Sequence, residues 1–376
     1  MKGVSHFRES DIRAAAREFV RKEFQKVDLE LIEKGKFPFE LLKKACELGM
    51  VGITIDEEYG GSGFGILEQA LIAEEFWKED PDLGSVLLSA YGVEVVQKFG
   101  NYEQKRYYLP KVVSGNLIIA VIMPDLQQRK GFVRYGPLGN KFIINANCEF
   151  VINASHADAF LIVAEHTDVS SCHTTFLLPK QDLIKVQSCE QKLCARAIGI
   201  DVVSIKELPV TAEHLIGKEG EGSLHLELLI NLRKLYTTAF ALGVTSACLD
   251  YAARYVRLRE QFNMLLSRFS LVQEYIGEIM AGFQLLNMAF YGFLRSTNSF
   301  EEFLTPCEQL LLINAFAKEM AMRSAAIALQ LHGGYGFILD FPIEKYYRNA
   351  QFLFLWDGHP KEDKIKAAKL KLGVTD

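Results

Sequence analysis

Near the carboxyl end of this 376-residue chain stands a single carboxylate, Asp357, set between Trp356 and Gly358 in FLFLWDGHP. A carboxylate at the edge of an apolar run can draw a proton from a carbon acid laid against it, which makes Asp357 a candidate base. The Asp-Gly pair is equally the mark of a turn, so chemistry and structure compete for it. Upstream, Gln330 precedes the pair Gly333-Gly334, whose missing side chains would let a ligand approach the backbone. Further cations stand in helical runs: Arg233 and Lys234 in INLRK, and Arg259, beside Phe262, in RLREQF. Arginine keeps its proton at neutral pH, so Arg233 is no base, but Arg233 or Lys234 could meet a carboxylate in a substrate. His359 could titrate near neutrality beside Asp357, although a surface turn would employ a histidine as readily.

Other signals point away from chemistry. Gly217-Lys218-Glu219-Gly220-Glu221-Gly222 lacks the Gly-Lys-Ser/Thr ending of a nucleotide cradle and reads as a hinge into a helix. Gly60-Gly61-Ser62-Gly63 reads as a turn between helices. The eight histidines show no metal-ligand spacing, so no metal is expected. Seven cysteines without a C-x-x-C pair suggest reduced thiols and a cytoplasmic protein. A net charge of −5 gives no pull toward nucleic acid or an anionic membrane. No apolar run is long enough to span a bilayer, and the first residues lack the apolar core of a signal peptide.

The elements that must position these residues fall into three zones. Helical spacing, as in Phe39, Leu42, Ala45 and Leu48, runs from about residue 8 to 118. Short runs rich in Ile, Val and Phe, such as LIIAVIM, KFIIN, FLIVAE and TTFLLP, then predict strands. Long helical patterns return from Ser223, with Pro306 at the expected first turn of the last long one. The expectation is a mainly α fold with a central small β-domain: an N-terminal helical domain over 1–118, a sandwich- or barrel-like β-domain over 119–216, and a C-terminal four-helix bundle over 217–376.

That order, with FPFELLKKACELGMVGITIDEEYGGSGFG, KFGNYEQKRYYLPKVVSG, NASHADAFLIVAEHT, LIGKEGEG and YVRLREQFNMLLSRFSLVQ, resembles the acyl-CoA dehydrogenase family over nearly the whole chain. The resemblance implies an FAD enzyme that oxidises an acyl thioester, on CoA or on an acyl carrier protein, at its α and β carbons. Such a site needs a base over the α-carbon, donors on the thioester oxygen and a wall behind the isoalloxazine. Asp357-Gly358-His359 stands where the family has Glu-Gly-Thr, which makes Asp357 the implied base. Its side chain is shorter by one carbon–carbon bond, about 1.5 Å, and a misplacement of about 1 Å can cost on the order of 10²-fold in rate. Arg233 aligns with the alternative base position that some members use.

In the family each flavin is held by two chains. The neighbour's set is kept here: Arg259 and Phe262, with Asn263 in place of a glycine, and Gln330, Gly333 and Gly334. The chain's own set is altered. Phe150-Val151-Ile152 replaces Trp-Ile-Thr, and Val121-Ile122-Met123-Pro124 followed by Asp125–Arg129 replaces Leu-Thr-Glu-Pro and Ala-Gly-Ser-Asp. Substrate contacts are expected from Arg233, Lys234, Tyr236 and Gly358, with the Leu228–Tyr236 face setting chain length and Arg348 bracing the base loop. Three functions stay open. One is an active flavoenzyme, homodimeric or homotetrameric, passing electrons to an acceptor such as electron-transfer flavoprotein. The second is a non-catalytic partner subunit of a heteromer. The third is flavin-free thioester binding or proton transfer.

Overall fold

The computed structural model describes residues 9–124, 131–189, 191–297 and 300–374; the altered stretch at 125–129 lies outside them, as do the first eight residues. Six helices lead: α1 (Glu9–Glu23), α2 (Leu29–Glu33), α3 (Phe39–Glu47), α4 (Ile66–Glu79), α5 (Val93–Phe99) and α6 (Tyr102–Val113). Helix α4 is apolar on nearly every side and is accordingly buried. Its carboxylates Glu74 and Glu75 are held inside because α1 supplies counter-ions: Arg13 reaches both at 2.9 Å, and Arg17 reaches Glu75 at 2.8 Å. Asn101 and Gln104 form a reciprocal cap at the start of α6.

Eight strands follow: β1 (Ile119–Ile122), β2 (Phe132–Leu138), β3 (Lys141–Ile152), β4 (Ala159–His166), β5 (His173–Pro179), β6 (Ile184–Ser188), β7 (Ile200–Val210) and β8 (Leu215–Ile216). They make one sheet in the order β6-β7-β3-β2-β4-β5-β8, with β1 parallel to β4. Side chains alternate across β4. Phe160 and Ile162 enter a core enclosed by the sheet, while Leu161 and Val163 join the helical core. The β3–β7 register shifts between Cys148 and Val151, and Phe150 takes a φ of +61° at that irregularity. The bulge turns Phe150 toward the bundle, where it matters below.

The remaining helices are α7 (Gly222–Val256), α8 (Ser270–Ser296), α9 (Glu308–His332), α10 (Ile343–Asp357) and α11 (Pro360–Leu372). The 35-residue α7 is the central rod, packed against α4, α8, α9 and α10. At Gly243 it passes so close to α4 that an added Cβ would fall 2.6 Å from the Glu74 carbonyl oxygen. Pro306 lies two residues ahead of α9 instead of inside its first turn; Cys307 takes the capping position. No helix among the described residues is long and apolar enough to cross a membrane.

Candidate functional site

Asp357 is the last residue of α10, and Gly358 behind it takes a φ of +83°, which reverses the chain into α11. The Asp357 side chain is wholly buried and surrounded by cations. Lys318 of α9 donates to its Oδ2 at 3.0 Å, Lys234 of α7 lies 3.3 Å from Oδ1, and Arg233 Nε lies 3.2 Å from the same oxygen. Asp363 of α11 bridges both lysines. Lys318 also donates to the carbonyls of Asp357 and Gly358. Burial alone would push the Asp357 carboxyl up, but Lys234, Lys318 and Arg233 together hold it below the usual carboxylate range. Burial pulls the Lys318 ammonium down, and Asp357 and Asp363 outweigh that and raise it. The resemblance made Asp357 the implied base; here its carboxylate is held ionised among three cations, whereas a general base works best with a pKa near the working pH.

Beside this cluster, between the sheet and the bundle, lies a cavity of about 70 Å³. Its walls are Ile119, Val121 and Met123 from β1 and beyond, Phe150 and Ile152 from β3, Tyr91, Trp356 and Arg233. Trp356 continues inward as an aromatic stack with Phe240 and Phe352, backed by Trp77. Cofactor pockets occupy roughly 300–1,000 Å³, so this cavity is narrow for an isoalloxazine. The position where the resemblance expects a threonine donor is Ile152, a hydrocarbon. Ile122, the other position expected to have lost a flavin hydroxyl, faces the enclosed core of the sheet and does not line the cavity.

A second hollow, of about 460 Å³, opens on the outside of the bundle. Arg259, Gln261, His332, Gly333, Gly334 and Tyr335 line it, and the Arg259 guanidinium lies 5.4 Å from the centre of the Tyr335 ring. Gly333 has a φ of +56°, and a Cβ at Gly333 or Gly334 would meet nothing, so the loop leaves its backbone accessible. Phe262 lies just beyond, 88% exposed. Gln330 is exposed at the end of α9 and is not part of the wall. A cation, an aromatic face and open backbone suit a phosphate-bearing aromatic ligand. This half fits what the resemblance implied.

Other expectations need adjustment. Tyr236 does not line the cavity: it packs behind Trp356, and its hydroxyl accepts from Gln69 Nε2 at 2.8 Å. Lys234 is occupied by Asp357 and Asp363, and Gly358 is buried under Lys318. Arg348 does not brace the Asp357 loop; it binds Glu344 and the carbonyl of Leu193 in the β-domain. His359 is the N-cap of α11, its Nδ1 accepting from the Lys361 amide, and stands exposed on the surface. Sequence reasoning missed Lys318 and Asp363. A lysine inside the apolar run LLLINAFAKEMA was the available signal for the first. Asp363, in PKEDK, carried none.

Comparison with known proteins places this architecture. Residues 8–116 match "Acyl-CoA dehydrogenase, N-terminal domain" and residues 221–361 match "Acyl-CoA dehydrogenase, C-terminal domain". The chain is 26% identical to an acyl-CoA dehydrogenase of Bacillus subtilis, across 97% of this chain and 98% of that one. It is 27% identical to the NADH-dependent acryloyl-CoA reductase of Anaerotignum propionicum, across 95% and 93%. Its fold matches butyryl-CoA dehydrogenase from Megasphaera elsdenii with a TM-score of 0.87 at 22% identity, covering 99% and 100% of the two chains. A glutaryl-CoA dehydrogenase from Mycobacterium smegmatis in complex with FADH2 matches with a TM-score of 0.87 at 22% identity, covering 98% and 95%.

Proposed function

The chain belongs to the acyl-CoA dehydrogenase family, and within it we propose that it serves as a partner subunit, completing the FAD site of a sister chain while leaving its own pocket unused for dehydrogenation. One contrast supports this reading: the half that faces a neighbour presents Arg259 and the open backbone of Gly333 and Gly334 in a groove, while the half that would hold the chain's own flavin ring is narrow and has Ile152 where the resemblance expects a donor. A site assembled from two chains needs one half of each kind. Copies of this chain alone would offer two of the first and none of the second. Arg259, with Gly333 and Gly334, receives the phosphates of a flavin whose ring lies in the sister chain, and the exposed Phe262 covers it. The acyl thioester, its α-proton base and the electron acceptor then belong to the sister chain, and Asp357 holds α7, α9, α10 and α11 together.

Flavin content tests this directly. The purified chain alone is expected to be colourless after gel filtration. The same chain co-expressed with an acyl-CoA dehydrogenase that keeps its own threonine donors should copurify with about one FAD per pair. Arg259→Ala should lower that content. A yellow homomer carrying one FAD per chain would overturn the reading. So would α-proton exchange of a thioester in D₂O that is lost in Asp357→Asn.

A further inference from the structure

The ion cluster does not balance. Arg233, Lys234 and Lys318 bring three positive charges, and Asp357 and Asp363 bring two negative ones, which leaves one positive charge in a buried setting. The excess resides on Arg233. Each lysine is satisfied by both carboxylates, whereas Arg233 is paired by proximity alone. Its Nε is 3.2 Å from Asp357 but points too far off line to donate a hydrogen bond. Among the described residues no other group accepts from its guanidinium. Arg233 is 9% exposed, and its guanidinium lines the small cavity with Tyr91 and Trp356. Tyr91 offers no acceptor in its place, since its hydroxyl is spent on the carbonyl of Leu229 at 2.8 Å. Glu149 stands exposed at the cavity wall and makes no ion pair with Arg233.

A buried, unmatched cation is expensive unless an anion meets it, and the planar fork of a guanidinium suits a carboxylate best. We propose that this cavity is a carboxylate-binding pocket in which Arg233 receives the acid group of a two- or three-carbon unit. The size sets the chain length: about 70 Å³ is far below the roughly 300–1,000 Å³ of sites for larger ligands. The apolar walls from Val121, Met123 and Ile152 meet the carbons. The unit is either a free short-chain acid or the distal end of a dicarboxylyl thioester. The proposal goes beyond the partner-subunit reading and does not require it.

Trp356 lies in the cavity wall, and the other tryptophan, Trp77, is fully buried behind it in the same aromatic stack, so intrinsic fluorescence reports on this site. The purified full chain would be titrated with propionate at constant ionic strength, chloride being the balancing salt. The expected result is a saturable change with propionate, none with propionamide, and at least tenfold weaker binding in Arg233→Gln. Arg233→Lys should retain the fold and bind a few-fold more weakly than wild type, which keeps the test decisive if the glutamine variant does not fold. Malonyl-CoA binding tighter than both propionate and propionyl-CoA assigns the carboxylate to a thioester; propionate binding alone assigns it to a free acid. Equal binding of propionamide, saturation by chloride alone, or undiminished binding in folded Arg233→Gln overturns the proposal. Flavin content has no bearing on any of these outcomes, so failure here leaves the partner-subunit reading to its own test.

Discussion

Helix α9 serves two hollows of opposite character. Its middle sends Lys318 into the ion cluster beside a narrow cavity that holds Arg233; its end runs into Gly333 and Gly334, beside an open groove with Arg259. The two differ in what they offer a ligand: the groove presents Arg259 beside open backbone, and the cavity presents Arg233 among Val121, Met123 and Ile152. The lesson is about cost. A surface groove can keep its shape without a ligand because water satisfies Arg259 and the loop amides. An interior cavity has no such recourse, and here aromatic packing and ion pairs bound it.

The comparison breaks most sharply at Lys318. Lys318→Met should destabilise the chain by about 3–5 kcal/mol, because Asp357 and Asp363 lose the buried ammonium that donates to both, and the carbonyls of Asp357 and Gly358 lose the same donor. Urea unfolding would measure it, and a loss under about 1 kcal/mol would mean the cluster is not the keystone described.

Next in size is pH. The His225 ring, bonded through Nδ1 to Thr175 Oγ1 at 2.9 Å, is pushed down to about 4 by burial, which outweighs the charge of Glu221. An unfolded histidine titrates near ~6.5. Between those values the unfolded chain binds a proton that the folded chain refuses, so stability falls as pH drops from about 6.5 toward 4. His225→Asn should flatten that part of the melting-temperature profile. Asp357 acts in a lower window: with its folded pKa depressed, its contribution is complete above about 3.9, the unfolded value, and is lost as pH falls below that.

Smaller effects sharpen the contrast. Ile152→Thr restores a donor in the closed half and should strengthen flavin binding by about 0.5–1.5 kcal/mol, read by fluorescence quenching of added FAD. Arg259→Ala in the open half should change the stability of the isolated chain by less than about 0.5 kcal/mol, as surface changes usually do. Its effect should surface only in the FAD content of a heteromer.

Much of this frame was legible in the sequence. The unbroken apolar run FLIVAE of β4 and the long helical pattern from Ser223 in α7 are one-dimensional signals, and both elements form where the pattern put them. Arg259 and the glycine pair were likewise readable, because the elements that carry them meet on one side of the bundle. Asp357 was conspicuous, but its role was hidden. Lys234, Lys318 and Asp363 come to it from three different helices, and nothing local marks the convergence. The choice between Arg233 and Lys234 was hidden for a related reason: adjacent residues on a helix point about 100° apart. One is therefore bridged by both carboxylates, and the other is turned to the cavity.

The cluster around Asp357 also acts as an evolutionary ratchet. To regain a free base at this position, a lineage would have to release the carboxylate from Lys234, Lys318 and Arg233. Losing Lys318 alone breaks buried, hydrogen-bonded ion pairs to both carboxylates, at about 3–5 kcal/mol, out of a total stability that is typically only about 5–15 kcal/mol. Reversal therefore needs coordinated substitutions on several helices, while drift that keeps every pair intact costs nothing. A carboxylate held in this manner would stay held in its descendants, and new function would be acquired around the cluster more readily than the cluster dismantled.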